Sequence, residues 1–301
     1  MSLLSGSIQP PLLTLLSSTS TPSLSPLFTS VVDPSSSDAL ITSLPDTESA
    51  TSTESSSSSR KVPHAQPKGC VSHHVMHIQS PDPRKTYIQA GNSVIEHGRW
   101  LDKGKGRDDV QLPLGVELHW LGMQVKRLGR RDMSFEVGVV DSRGREGVIR
   151  FSSFKKNPTV HPHRAPPLIH LPLQLPSAGP SQLTQWVHIP INLAALIPLF
   201  QHLPRPQRHA SASESDDGDD DNDNNSNEEG GHKGEEGKDR RKRRKVAELP
   251  QGGFGTVSYV RVYANCRIRR IWFSAEGERT IEGMSKSVQD EWALYAADEA
   301  A

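Results

Sequence analysis

Apolar residues in this chain recur with a period of two. Val260 and Val262 alternate with Tyr259, Arg261 and Tyr263, the pattern of a half-buried strand. Ala264-Asn265-Cys266 breaks the alternation and predicts a bend, because Asn accepts turn geometry. Ile268 to Phe273 then predicts a second strand. Upstream, Cys70 to Gln79, Lys85 to Ala90 and Thr184 to Ile191 read as further strands. Leu112 to Leu128 fits both periods, but Pro113, Gly115 and Gly122 weaken a helix and favour a strand. Phe135, Val137 and Val139 share one face of a strand from Met133 to Val140. Asp141-Ser142-Arg143-Gly144 follows as a type I turn, and Val148 to Phe151 returns, which makes a hairpin. Pro166 to Leu175 alternates too, and its prolines predict an edge position or bulges. Asn192 is placed to cap a short helix, Leu193 to Leu203, which Pro198 bends or ends. Val288, Trp292 and Tyr295 give a C-terminal helical stripe. Many short strands between Gly/Pro turns, without alternating helices, predict an all-β fold: an antiparallel β-sandwich with short helices.

Composition divides the chain. Only 34% of its 301 residues are hydrophobic and 5% aromatic, low for a chain folded throughout. The shortage falls in two segments, a Ser/Thr/Pro tract and an acidic then basic run, neither able to bury enough apolar surface to order itself. The expected organisation is an edge strand in 1–16 and a disordered Ser/Thr/Pro-rich segment in 17–66. The first part of the sandwich follows in 67–203 and a disordered acidic/basic insertion in 204–251. Residues 252–301 complete the sandwich and add the C-terminal helix. Two cysteines, Cys70 and Cys266, make neither a disulfide framework nor a four-ligand zinc site. The absence of Lys or Arg before Arg60, with Pro10-Pro11 in the apolar run, argues against a secretory signal. No run of 18 apolar residues predicts a membrane span.

The net charge of zero hides segregation. Residues 209–237 carry eleven Asp and Glu against one Lys, and residues 81–208 carry eighteen Lys and Arg against ten Asp and Glu. The folded part is therefore basic and suited to an acidic partner. Arg261, Arg267, Arg269 and Arg270 are interleaved with apolar residues. They either cover the outer face of a sheet with their stems or form a partner-binding face. With strict alternation, one of Arg269 and Arg270 points toward the core or its rim and the other outward. Lys238, Arg240, Arg241, Lys242, Arg243, Arg244 and Lys245 form a basic block readable as a nuclear import signal or a nucleic-acid patch. Gly253-Phe254-Gly255-Thr256-Val257 has the look of a nucleotide-binding loop but lacks the ordered Lys and Asp partners of a kinase. His73, His74 and His77 cannot all converge from one strand. No catalytic, metal or cofactor constellation emerges, and the expected class is a binding protein rather than an enzyme.

The run Tyr259-Val260-Arg261-Val262-Tyr263-Ala264-Asn265-Cys266-Arg267-Ile268-Arg269-Arg270-Ile271-Trp272-Phe273-Ser274 resembles the most distinctive motif of the cilia- and flagella-associated protein 20 family. Thr86-Tyr87-Ile88, Ser134-Phe135-Glu136-Val137 with Arg150-Phe151, and Trp186, Ile189, Asn192 and Leu193 resemble its other segments in the same order, as does Leu12 to Leu16. The resemblance implies a non-enzymatic β-sandwich similar to a carbohydrate-binding module. It implies binding to tubulin at the inner junction of doublet microtubules, and a place in the cytoskeleton and cilium. Nuclear roles have also been proposed for the family. The basic block adds a nuclear import receptor and nucleic acid as alternative partners.

Overall fold

The computed structural model describes residues 2–4, 6–20, 27–45, 74–95, 98, 111–175, 186–205 and 248–292. The strands in chain order are β1 (Leu12–Ser17), β2 (Phe28–Val31), β3 (Leu40–Pro45), β4 (His74–Gln79), β5 (Tyr87–Gly91), β6 (Trp120–Arg127) and β7 (Ser134–Asp141). They continue with β8 (Glu146–Ser152), β9 (Thr159–His161), β10 (Leu168–Pro172), β11 (Trp186–Asn192), β12 (Phe254–Tyr263) and β13 (Cys266–Ser274). The helices are short: α1 (Leu193–Leu196), α2 (Leu199–His202), α3 (Glu278–Glu282) and α4 (Lys286–Trp292).

Among the described residues these strands form two sheets. One runs β11-β6-β13-β4-β3, with β1 also on β13; the other runs β2-β5-β12-β7-β8-β10-β9. Leu121, Met123, Val125, Ile268, Ile271 and Phe273 from the first sheet face Ile88, Phe135, Val137, Ile149, Val260 and Val262 from the second across one core. The all-β sandwich is what the period-two pattern predicts. Every pairing is antiparallel except β8 with β10, which is parallel.

The hairpin β7–β8 shows how local sequence fixes register. Asp141 accepts from Gly144 N at 2.9 Å and donates to Arg145 O at 2.9 Å, while its Oδ1 accepts from the N–H groups of Arg143 and Arg145. Gly144 has φ of 79°, a conformation glycine adopts freely. The result is a type I turn closed by a glycine bulge.

Two expectations are corrected. The segment 17–66 is not uniformly outside the fold, because residues 27–45 supply β2 to one sheet and β3 to the other. Both are edge strands, and β2 buries only Phe28, so Ser and Thr suffice at the remaining positions. Asp33 fixes the link between them: its Oδ1 accepts from Ser35 N and Ser35 Oγ, and its own N–H donates to Thr86 Oγ1 at 3.1 Å. The rest of 17–66 and most of 204–251 lie outside the described residues. The second correction concerns β10, which lies inside its sheet between β8 and β9. Pro166 and Pro167 precede the strand and Pro172 closes it, so no N–H is missing from its middle.

The far side of the sandwich is closed by the helices after β11. Asn192 Oδ1 accepts from Ala195 N at 3.2 Å and caps α1. Pro198 starts α2, and Leu193, Ile197 and Phe200 join the core. The chain then reaches the free side of β9, where Val160 N donates to Pro204 O at 3.0 Å.

Gly122 of β6 lies opposite Trp272 of β13. A Cβ there would sit 2.2 Å from the indole ring, closer than packing allows. We expect Gly122→Ala to cost about 1–3 kcal/mol, the usual price of overpacking. Urea unfolding of the variant checks this, and an unchanged midpoint would mean that Trp272 moves freely.

Candidate functional site

The four arginines Arg261, Arg267, Arg269 and Arg270 do not share a face. β12 and β13 belong to different sheets, so Arg261 lies on the outside of one layer and Arg267 and Arg270 on the outside of the other. Strict alternation also fails within β13. Ile268 pairs with Val125 and Arg270 with Gln124, which leaves Arg269 as an extra residue in a β-bulge. The bulge keeps Ile268, Ile271 and Phe273 in the core and turns Arg270 outward. The bulge replaces the strict alternation expected: Arg270 turns to the outer face, and both arginines are buried, Arg269 at 7% and Arg270 at 2% exposure.

Around Arg261 the outer face of the seven-stranded sheet carries a polar row. Strand register aligns Gln89, Arg261, Glu136, Arg150 and His170 across β5, β12, β7, β8 and β10. Charges alternate along it. Glu136 Oε1 lies 3.0 Å from Arg261 Nη1, and Glu136 Oε2 lies 3.0 Å from Arg150 Nη2. Arg261 Nε donates to Gln89 Oε1 at 2.6 Å. Tyr263 Oη and Tyr259 Oη donate to Glu136 Oε1 at 3.1 and 3.3 Å. The Arg261 guanidinium also lies 4.7 Å from the Tyr87 ring centroid. Burial alone would raise the Glu136 carboxyl, but the two arginines and its hydrogen bonds outweigh that and hold it below the usual range. Burial opposes the Arg261 charge, yet Glu136 and the tyrosines hold its pKa above the ordinary value. At the row's end burial, and then Lys155, Arg150, His161 and Arg164, push His170 down to about 3, so it is neutral. Its Nε2 is paired with Ser152 Oγ at 2.7 Å.

Glu136 was missed as a partner in the sequence reading. One signal was available: counting back from the Asp141–Gly144 turn puts Glu136 opposite Arg150. Nothing local points to Arg261, because β12 inserts between β5 and β7 from far along the chain.

The other outer face is aromatic and covered. Trp272 stacks on His188 at 5.0 Å and meets Trp292 edge-on at 4.8 Å. The Arg270 guanidinium lies 4.8 Å from the Trp292 ring centroid, and Gln124 Nε2 donates to Trp292 O at 2.6 Å. His188 Nδ1 approaches Glu278 Oε1 at 3.2 Å. The segment carrying α3 and α4 thus lies over Trp272 and Arg270. Arg267, on the same sheet, donates from Nε to His77 Nδ1 at 3.3 Å. The basic block Lys238 to Lys245 lies outside the described residues.

A cleft of about 490 Å³ opens where β12 passes to β13, lined by Gln79, Ser80, Arg131, Asp132 and Asn265 among others. Its buried polar groups already serve the corner. Asn265 Oδ1 accepts from Ser80 N at 3.0 Å, and Nδ2 donates to Asp132 O at 3.2 Å. Cys266 beside it is fully buried, and burial pushes its thiol up to about 12, which leaves it unreactive. No described helix is long and apolar enough to cross a membrane.

A two-sheet sandwich whose polar groups are spent on one another belongs to the class of β-sandwich modules. The CFA20 domain model matches residues 47–202, just over half of the chain, and the chain belongs to this cilia- and flagella-associated family. β1 to β3, β12 and β13 lie outside the matched segment, though they complete the same two sheets. Comparison with curated proteins finds no match.

The row gives one prediction, and the buried histidines of both sheets give another. Glu136→Ala strands two arginines beside three tyrosines and should cost about 3–5 kcal/mol, whereas Tyr263→Phe should cost about 1 kcal/mol; urea unfolding separates them. The histidines give a pH dependence. His77, His170 and His188 all have folded pKa values below 6.5, mainly through burial. The unfolded chain therefore takes up protons first as pH falls. Stability present above pH about 6.5 should decline below it, by at most about 1.4 kcal/mol per pH unit for each histidine. Glu136, also depressed, adds its loss only below its ordinary value of 4.5. Between pH 6.5 and 4.5 the decline thus belongs to the histidines. His170→Gln should make it shallower in denaturation measured across that window.

Proposed function

We propose that this protein is a non-catalytic binding module that associates with microtubules at cilia and flagella. The observation that carries the reading is the family match over residues 47–202 on a complete two-sheet sandwich. The outer polar row is engaged with itself, which argues against catalysis there. Its carboxylate is held ionised between two arginines, its histidine is neutral and paired with Ser152, and Arg261 is occupied by Gln89 and Glu136. A second reading, a nuclear protein that contacts nucleic acid, rests on the basic block from Lys238 to Lys245.

The test is co-sedimentation of the purified full chain with stabilised microtubules across a salt series, with a DNA shift assay in parallel. Pelleting that weakens with salt is expected, because contacts with an acidic lattice are screened. A chain that stays in the supernatant at low salt and shifts DNA instead would reverse the order of the two readings. Changing Arg240, Arg241, Lys242, Arg243 and Arg244 to Ala in a tagged protein separates them in cells. The microtubule reading expects its cytoskeletal distribution to be unchanged.

A further inference from the structure

From Gly147 to Ser213 the chain contains no Asp or Glu, while it carries six Lys and Arg and six His. The fold gathers part of this stretch at one end of the seven-stranded sheet. The loop after β8 presents Phe154, Lys155 and Lys156, and the turn between β9 and β10 presents Arg164. Phe154 is 42% exposed and packs edge-on against His170 at 5.9 Å. Register sets His170 between Arg150 and Thr159, and Lys155, Arg150, His161 and Arg164 are all near enough to His170 to oppose its protonation. Arg150 is engaged by Glu136. Lys156 is exposed, Lys155 and Arg164 are half-buried, and Phe154 supplies an apolar centre.

We propose that this end of the sandwich, built on Phe154, Lys155, Lys156 and Arg164, is a docking surface for an acidic polypeptide segment. Charge complementarity sets the sign of the partner. Two features favour a polypeptide over nucleic acid. Nucleic-acid affinity is built from many phosphate contacts, and three outward cations supply few. An exposed Phe beside these cations suits a segment that mixes carboxylates with apolar side chains, since aromatic anchors are where protein interfaces concentrate energy. The proposal rests on the microtubule reading for its physiological partner but not for its chemistry.

The experiment compares the full-length protein with Lys155→Glu/Lys156→Glu/Arg164→Glu. The control, Arg130→Glu/Arg143→Glu/Arg279→Glu, changes net charge equally at exposed sites elsewhere. Matched thermal melts establish that each is folded. The probes are fluorescent poly-L-glutamate, single-stranded DNA of equal charge, and microtubules. We expect poly-glutamate affinity to fall at least about tenfold in the first variant and less than about twofold in the control. Phe154→Ala should weaken binding to a mixed Glu/Leu peptide more than to poly-glutamate. Equal losses in both charge variants, or no binding of poly-glutamate by the parent, would overturn the site. Tighter binding of DNA than of poly-glutamate would overturn the choice of partner. Microtubule pelleting unaffected by the first variant would overturn this surface as the microtubule contact and leave the functional reading intact. Specific poly-glutamate binding without pelleting would do the reverse.

Discussion

The chain crosses from one sheet to the other in two residues, Ala264 and Asn265, and this crossing sets the geometry of the rest. On one side β12 is held between β5 and β7. On the other β13 is held by β6 along one edge and by β4 and then β1 along the other. A link this short leaves no freedom in the relative position of the two central strands. Asn265 fixes it with its side chain on Ser80 N and Asp132 O and its carbonyl on Leu128 N at 3.1 Å. Two separate segments, the one after β4 and the loop between β6 and β7, are thereby tied to the corner. Ala264 and Cys266, both fully buried, let the layers close around it.

How much of this was legible depends on whether the information was local. The alternation of Val260 and Val262 with Tyr259 and Arg261 identified β12 because one face of that strand meets the core and the other does not. The Asp141–Gly144 turn identified a hairpin because its chemistry lies in adjacent residues. Arg269 shows the opposite case. A bulge is invisible to a period-two reading, and one inserted residue was enough to move Arg270 and Trp272 to the outside together. β2 and β3 were missed for a different reason. An edge strand with at most one buried residue needs little apolar character, so a Ser/Thr-rich segment can form it once a partner strand offers free hydrogen-bonding groups. The site was the least legible part. Four arginines close in sequence are split between two layers, and Arg261's partner, Glu136, comes from another strand.

The two outer faces solve the same problem by different means. Each carries arginines that cannot be buried without compensation. On the seven-stranded sheet the compensation is electrostatic: one carboxylate serves two guanidinium groups, with tyrosine hydroxyls filling its remaining acceptor positions. On the six-stranded sheet it is aromatic: Arg270 sits against Trp292, and a C-terminal segment covers it. A cation against an indole face gains most when water is excluded, which accounts for Trp272, Trp292 and Arg270 being packed together.

This division bears on where a partner can be met. A buried ion pair contributes little net stability but is costly to break, so the Glu136 row resists rearrangement and is poorly suited to exchange its contacts for those of a ligand. The same holds for Arg270 as long as Trp292 lies over it. The arginines that drew attention in the sequence therefore act chiefly as fixed parts of the sandwich. Cations on the loops beyond the row, outside the Glu136 network, are better placed to meet an acidic surface. The rigid row then has a definite use, because Arg150 and His170 hold the sheet beneath Phe154 and Lys155 in one arrangement. Less entropy is lost on binding when the surface is already ordered.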